Sequence, residues 1–434
     1  MIEILSILIH LLIITIFFYP SKYLINFFIN NNKNINFIEK LEIGAVINIF
    51  FLLVASFFWR KESNLILYSL LIFFFLNLYS FTKDSFRLIK IKKNSFNKEF
   101  LILFLLTFIF SINLSNNLKI GWDAQNYWLP KMMIFINGGD IFDLQNSPRS
   151  EYPYLGSFIW FFYTKITYLK YEYFGRIFYI YLFLLAVFSN AQLLRSNFIS
   201  KFLISILIVL LIYQAELFNG YQEVIIFSLS LILVKNFYLV ISNNSNFQNN
   251  IKNYKIIFIL FTSLIWIKND SLILMTIFVF SFYFIEKIKL NTKFKFTAII
   301  ILIILSKYLI FKFFSLPNVL QKGNYELLHI NNFLSFLSVD RIGSIFKYLF
   351  FSLFQVVIFP LSILCIYFIK NKNLVFFNFL TRQFIIAIFI IFFVFLLTSI
   401  PINFHLYTAM SRIIFQVSSL FVISIFILYK NILK

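Results

Sequence analysis

The sequence predicts an all-α, polytopic membrane protein with about thirteen transmembrane helices, and three observations lead there. Of 434 residues, 61% are hydrophobic and only 13% charged, with a mean hydropathy of +0.87, whereas soluble domains carry about a quarter charged residues. Apolar runs of spanning length recur from end to end, with no polar block large enough for a separate soluble domain. Backbone facing lipid must satisfy its own hydrogen bonds, so these runs are expected to be helices. Basic turns separate alternate runs, as the positive-inside rule requires.

Taken in order, the first run, Ile4 to Phe18, lacks the basic start and small-residue cleavage site of a signal peptide and is read as a retained helix. Spans follow over Gly44 to Trp59, Leu65 to Phe81 and Phe100 to Asn113. The turn holding Lys83, Arg87, Lys90, Lys92, Lys93 and Lys98 against Asp84 and Glu99 is assigned to the cytoplasm. Ser115 to Glu151 then falls on the outer face. Tyr154 to Tyr168 is read as juxtamembrane or re-entrant, because a full crossing would place Arg195 and Lys201 outside. Phe174 to Leu194, Phe202 to Phe218 and Val224 to Val240 are single spans. Ile256 to Ile285 is broken by Lys268-Asn269-Asp270 into two shorter spans meeting at the outer surface, since buried in lipid each charge costs roughly 2.5 to 3.5 kcal/mol. Phe296 to Phe314, a second outer loop at Ser315 to Arg341, and spans at Ile345 to Ile369, Phe384 to Ser399 and Ala409 to Tyr429 complete the chain.

The net charge of +21, from 38 Lys and Arg against 17 Asp and Glu, sits largely in membrane-flanking turns, so membrane lipids and not nucleic acid are the expected partners. The many Phe, Asn and Lys residues track an AT-rich coding bias, and single residues of these types are given little weight. One cysteine, Cys365, excludes an internal disulfide and a multi-thiolate metal site. Asp140 and Asp143 follow Gly138-Gly139 and are read as a surface turn, the three histidines are scattered, and no metal or other cofactor is expected. A Gly-rich nucleotide loop is absent, which argues against a nucleotide sugar or ATP as direct substrate.

On this topology Asp123, Lys131, Glu151, Glu223, Lys268, Asp270, His405 and Arg412 all fall near outer helix ends. Ionisable groups at membrane depth must pair or face a wet cavity, which makes them functional candidates. Each also has a structural reading. Asp123 is placed to N-cap a juxtamembrane helix, and Arg412 to anchor a helix end. Lys268 and Asp270 are spaced to pair with each other, Glu223 to serve packing, and Tyr127, Trp128, Tyr152 and Tyr154 to form an interfacial aromatic belt.

The run Trp122-Asp123-Ala124-Gln125-Asn126-Tyr127-Trp128, with Pro130-Lys131 and Tyr152-Pro153-Tyr154-Leu155, resembles the first outer loop of GT-C membrane glycosyltransferases, of the protein O-mannosyltransferase and lipid A aminoarabinose transferase type. Gly220-Tyr221-Gln222-Glu223, Trp266-Ile267-Lys268-Asn269-Asp270-Ser271 and Ser411-Arg412 resemble later elements of that superfamily in the same order. The departures are Tyr154 for a second Pro, Glu223 for Asp, Asp270 for Glu and Ser271 for Gly. The resemblance implies one membrane domain over 1–434, with additional N-terminal spans over 1–99 and a GT-C-like core over 100–434 whose first exoplasmic loop carries juxtamembrane helices. It further implies inverting transfer of a sugar from a polyprenyl-phosphate donor to a glycan, lipid or protein acceptor, with Asp123 as general base. Lys131, Tyr127, Glu223, Lys268, Asp270 and Arg412 are then expected to bind substrate, Lys268 and Arg412 at the phosphate. A transporter or flippase, or a polymerase, for lipid-linked glycans is the competing expectation. A bacterial inner membrane, with the site facing outward, is the expected location.

Overall fold

A computed structural model of the chain describes residues 2–28, 35–59, 64–90, 98–167, 169–194, 197–213, 215–242, 247–285, 288–317, 338–370, 374–397 and 401–432. Every regular element among them is a helix. Eight are long and apolar enough to cross a membrane, or nine if the pair Val339–Gln355 and Ile358–Ile369, bent by 84°, is one span. The chain is thus a helical integral membrane protein. Two expected spans form short helices: Phe198–Ile212 has 15 residues and Ser271–Tyr283 has 13. At about 1.5 Å per residue these reach roughly 20 Å, short of a hydrocarbon core of about 30 Å. Of the second polar loop, residues 318–337 with Lys322, Glu326 and His329 lie outside the described residues, as do Lys92, Lys93, Arg195, Lys287 and Lys372.

Side-chain contacts sort the helix ends into two sets. The helices used below are α1 (Ile2–Phe18), α2 (Phe37–Phe57), α3 (Asn64–Lys90), α4 (Lys98–Asn116), α5 (Leu129–Ile136), α6 (Leu155–Lys165), α7 (Tyr173–Ala191), α8 (Glu223–Ser242), α9 (Phe247–Ile267), α10 (Leu290–Phe313) and α11 (Ile402–Ser418). At one end the Tyr19 hydroxyl after α1 and Lys40 at the start of α2 both bind the Asp84 carboxylate, at 2.6 and 2.7 Å. Lys201 pairs there with Glu99 at the start of α4, at 3.2 Å. At the other end Tyr173 donates to Glu3 at 2.7 Å, Tyr154 meets Ser56 at 3.1 Å, and the 121–128 stretch meets the start of α8. Lys83 and Lys98 therefore flank one end, and 115–151, 268–271 and His405 gather at the other. This is the grouping that the alternation of basic turns implies.

The core is aromatic and apolar around α7 and α8, which are almost wholly buried. Deep between α2 and α8, Glu42 and Lys235 form an ion pair, with Asn236 donating to the same carboxylate at 3.3 Å. Both charged side chains are under 5% exposed. Helix α2 also accepts the Tyr163 hydroxyl of α6 at Asn48, 2.8 Å. The N-terminal spans thus pack into the remaining helices through polar contacts as well as through apolar surface.

Candidate functional site

The site is built on a helix entered at Trp122 that continues into α5. Pro130 has no N–H to donate to the carbonyl four residues back and its ring crowds that carbonyl. The preceding turn, Ala124–Trp128, widens accordingly into π geometry, with the Leu129 N–H bonding Ala124 O. Such π turns recur at functional sites. Asp123 lies within this helical run, in αR geometry and making no side-chain capping bond. Its carboxylate points elsewhere, so the N-cap role is not realised.

Two glycines let the motif pieces dock. Gly121 donates its N–H to Asn219 O at 2.8 Å, and an added Cβ would lie 2.5 Å from the Tyr221 ring. At Gly156, a Cβ would meet the Gln222 amide. A larger residue at either position would have to displace the Tyr221 ring or the Gln222 amide, the two side chains that precede Glu223 at the start of α8.

Five of the ionisable residues singled out in the sequence, Asp123, Glu223, Lys268, Asp270 and Arg412, meet in one ion network, while Glu151 pairs with Arg149 at 3.4 Å. Asp123 pairs with Arg412 of α11, and Arg412 also reaches Glu223 at 3.5 Å. Lys268 bonds Glu223 at 2.8 Å and Asp270 at 2.7 Å, and Gln416 donates to Asp270 at 3.5 Å. The Arg412 guanidinium also lies 5.4 Å from the centroid of the Tyr221 ring. Burial works to raise the Asp270 carboxyl, but Lys268 outweighs it and holds the group below its ordinary value. Burial likewise pulls the Lys268 ammonium down, and Asp270 with Glu223 more than offsets it, leaving the lysine above its usual range. The Lys268–Asp270 pairing anticipated from their spacing is present, but it is one link of a larger chain. Buried polar atoms without a partner border the network: Glu223 Oε2, Asn269 Nδ2, Ser271 Oγ and His405 Nδ1. They are hydrogen-bonding capacity at the edge of a charged site, and buried polar groups are rarely left unpaired.

Tyr127, one turn after Asp123, stands edge-on to Trp122 and Tyr152, with ring centroids 5.6 and 5.9 Å away. Trp122 is 63% exposed. Arg149 lies over both tyrosine rings, at 5.8 and 5.9 Å, which makes an aromatic and cationic shelf beside the carboxylate. Asp140 and Asp143 accept backbone N–H bonds at 2.8 Å within their own turn. Among the described residues no group of three or more His, Cys, Asp and Glu is arranged to hold a metal ion.

Lys131 is placed apart from the ion network. It is fully buried and donates to the carbonyls of Arg149 and Tyr152, at 2.8 and 2.6 Å, fastening the loop back onto α5. Burial pushes its amine down to about 7, with Glu151 opposing and Lys307 adding to the depression. A lysine whose folded pKa falls below the unfolded value of 10.5 destabilises the fold as pH drops through that window, because only the unfolded chain takes up the proton. Thermal stability is therefore expected to rise between pH 7 and 10, with the rise flattened in Lys131→Met. Equal pH slopes in the two proteins, followed by thermal unfolding in detergent, would refute this.

Arg176 escaped the sequence reading. Fully buried, it grips both oxygens of Glu172, at 2.7 and 2.8 Å, and donates to the carbonyls of Lys119 and Phe218 at 3.1 and 3.0 Å. It thereby fixes the two chain segments that deliver Asp123 and Glu223. Its signal was present, a lone arginine inside the Phe174 to Leu194 apolar run, where a charge needs a partner. Lys307 of α10 carried the same signal. No family model, curated protein or solved structure matches the chain.

Proposed function

We propose that this protein is a membrane glycosyltransferase of GT-C type, moving a sugar from a polyprenyl-phosphate donor to an acceptor hydroxyl or amine at the exoplasmic surface. The observation that carries the reading is the ion network: Asp123, Glu223, Lys268, Asp270 and Arg412, drawn from four separated motifs, converge at one end of the bundle. In this reading Asp123 takes the acceptor proton as the acceptor attacks the anomeric carbon. The lipid phosphate leaves with the bonding electrons, and configuration inverts. A placed base contributes about 10² to 10⁴. Arg412 orients the carboxylate, Trp122 and Tyr127 offer faces on which a sugar ring stacks, and the unpartnered Glu223 oxygen accepts a hydroxyl hydrogen bond.

The short apolar helices Phe198–Ile212 and Ser271–Tyr283, with the bent pair, α2 and α9, support a count of about thirteen passes, the bilayer thinning around the short ones. The basic-turn pattern supports an outward-facing site, and the AT-rich coding bias supports a cell-envelope membrane of the bacterial inner-membrane kind.

A carrier for lipid-linked glycans is the second reading, favoured by the Glu42–Lys235 pair, which puts charge well inside the bundle. The test is transfer of radiolabelled sugar from a polyprenyl-phosphate donor by purified protein in detergent, where no membrane separates compartments. Labelled acceptor product is the expected result. Movement of labelled donor across proteoliposomes without product would establish the carrier instead.

A further inference from the structure

Asp123 and Glu223 are each led into by non-helical backbone, residues 117–121 and 219–222, whose polar groups need partners at membrane depth. Lys119 comes four residues before Asp123, and Phe218 five before Glu223. The carbonyls of both accept from Nη1 of Arg176, at 3.1 and 3.0 Å. Just beyond them the Gly121 N–H bonds Asn219 O at 2.8 Å. One nitrogen of one side chain thus spans the two segments where their backbones meet.

Arg176 is itself held from behind. Its Nε and Nη2 grip the two oxygens of Glu172 at 2.7 and 2.8 Å, and the Glu172 carbonyl accepts from Trp160 Nε1 of α6 at 3.1 Å. The fully buried Trp160 ring packs against Gly220, where a Cβ would stand 2.6 Å from the ring and 3.0 Å from the Ala124 Cβ, and where φ is +85°. The ends of α6 and α7 and both site-bearing segments therefore share one corner.

The ion network cannot supply this order with equal force. Both partners of the Asp123–Arg412 pair are partly exposed and open to screening by water and salt. Arg176 is fully buried, so losing it leaves a carboxylate and two carbonyls without their donor. The planar fork matters here, because a lysine ammonium can neutralise Glu172 but is a point charge, without the width to hold the carboxylate and both carbonyls.

We infer that Arg176 is a positioning residue: it sets the separation of Asp123 and Glu223, and the ion network closes across a gap already fixed by this buried clamp. The inference rests on the proposed function only for its effect on rate.

Hydrogen–deuterium exchange of the purified full-length protein in detergent reads the clamp directly, at the backbone amides of 119–123 and 218–223. Arg176→Lys and the double variant Glu172→Gln/Arg176→Met are compared with wild type; the double variant removes both charges together, so neither is orphaned. Exchange in both segments is expected to rise at least about tenfold in each protein, a floor for loss of a buried hydrogen-bonded charge contact, while the far end of α8 around Lys235 keeps its wild-type exchange. Asp123→Asn, which loosens the network and not the clamp, is expected to stay within about twofold. Wild-type exchange in either segment of either Arg176 variant overturns the assignment. So does an equal rise around Lys235, which would make Arg176 a general stabiliser, and so does an Asp123→Asn protein that matches the Arg176 variants, which would hand the positioning to the network. In sugar transfer, Arg176→Lys is expected to lower kcat by about 10², the scale of a misplaced reacting group, with the donor KM within about threefold. Full kcat in Arg176→Lys would leave Arg176 as a counter-ion for Glu172 and overturn the role. A wild type that transfers no sugar removes the transferase reading and leaves the exchange result standing. Transfer by the wild type with unchanged exchange in the variants does the reverse.

Discussion

Asp123→Asn is expected to abolish most sugar transfer, by about 10² or more, while leaving the protein folded. The asparagine keeps an oxygen that can accept from Arg412, and Arg412 retains Glu223 at 3.5 Å, so the network loosens without orphaning a charge. What is lost is the carboxylate that accepts a proton. Asp123 suits this task better than its neighbours because it is 20% exposed beside the aromatic shelf, whereas Glu223 is 5% exposed. Asp270 is bound to Lys268 and Gln416. The measurement is turnover of a polyprenyl-phosphate sugar by the purified variant, with a thermal unfolding curve as control. If more than about a tenth of the wild-type rate survives, on the same scale of base catalysis, Asp123 serves only as the partner that orients Arg412, and Glu223 becomes the carboxylate to test.

The largest effect on stability is expected at the other charged centre. Glu42 and Lys235 pair in the interior, and removing one partner of a buried pair typically costs about 3 to 5 kcal/mol, because the remaining charge is left uncompensated. Glu42→Gln and Lys235→Met should each lower the unfolding temperature sharply. The double variant should recover much of the loss, since two charges of opposite sign disappear together. The functional consequence follows from geometry: α8 begins at Glu223 and carries Lys235 twelve residues later, about 18 Å along the axis at 1.5 Å per residue. Anchoring that lower end against α2 holds the helix that presents Glu223. A double variant no more stable than either single one would show that the pair is not the anchor. If the carrier reading is right, the same double variant would instead block lipid movement while keeping stability.

The two charged centres also show what could be read before any coordinates. Hydropathy and the basic turns are one-dimensional signals, and they were sufficient for the helical membrane class and for the grouping of 115–151, 268–271 and His405 at one end. They were poorer at helix length, because an apolar run such as Phe202 to Phe218 says nothing about where its last turn frays into a loop. The candidate site was legible as a set of unusual charges, since a charge at a helix end in a membrane protein needs a reason. Its wiring was not.

Composition, the order of apolar runs and the basic turns by themselves determined a polytopic helical membrane protein with one set of ionisable residues, Asp123, Glu223, Lys268, Asp270 and Arg412 among them, at one end. Only the tertiary structure decided that Asp123 pairs with a guanidinium 289 residues away, that Glu42 meets Lys235 across 193 residues, and that Lys131 fastens a loop while Lys307 stands beside Asn269. The physical reason is that an ion pair depends on distances of a few ångströms between helices. Which helices lie that close is set by how their side chains interdigitate, a property of whole packed faces that no local stretch of sequence contains.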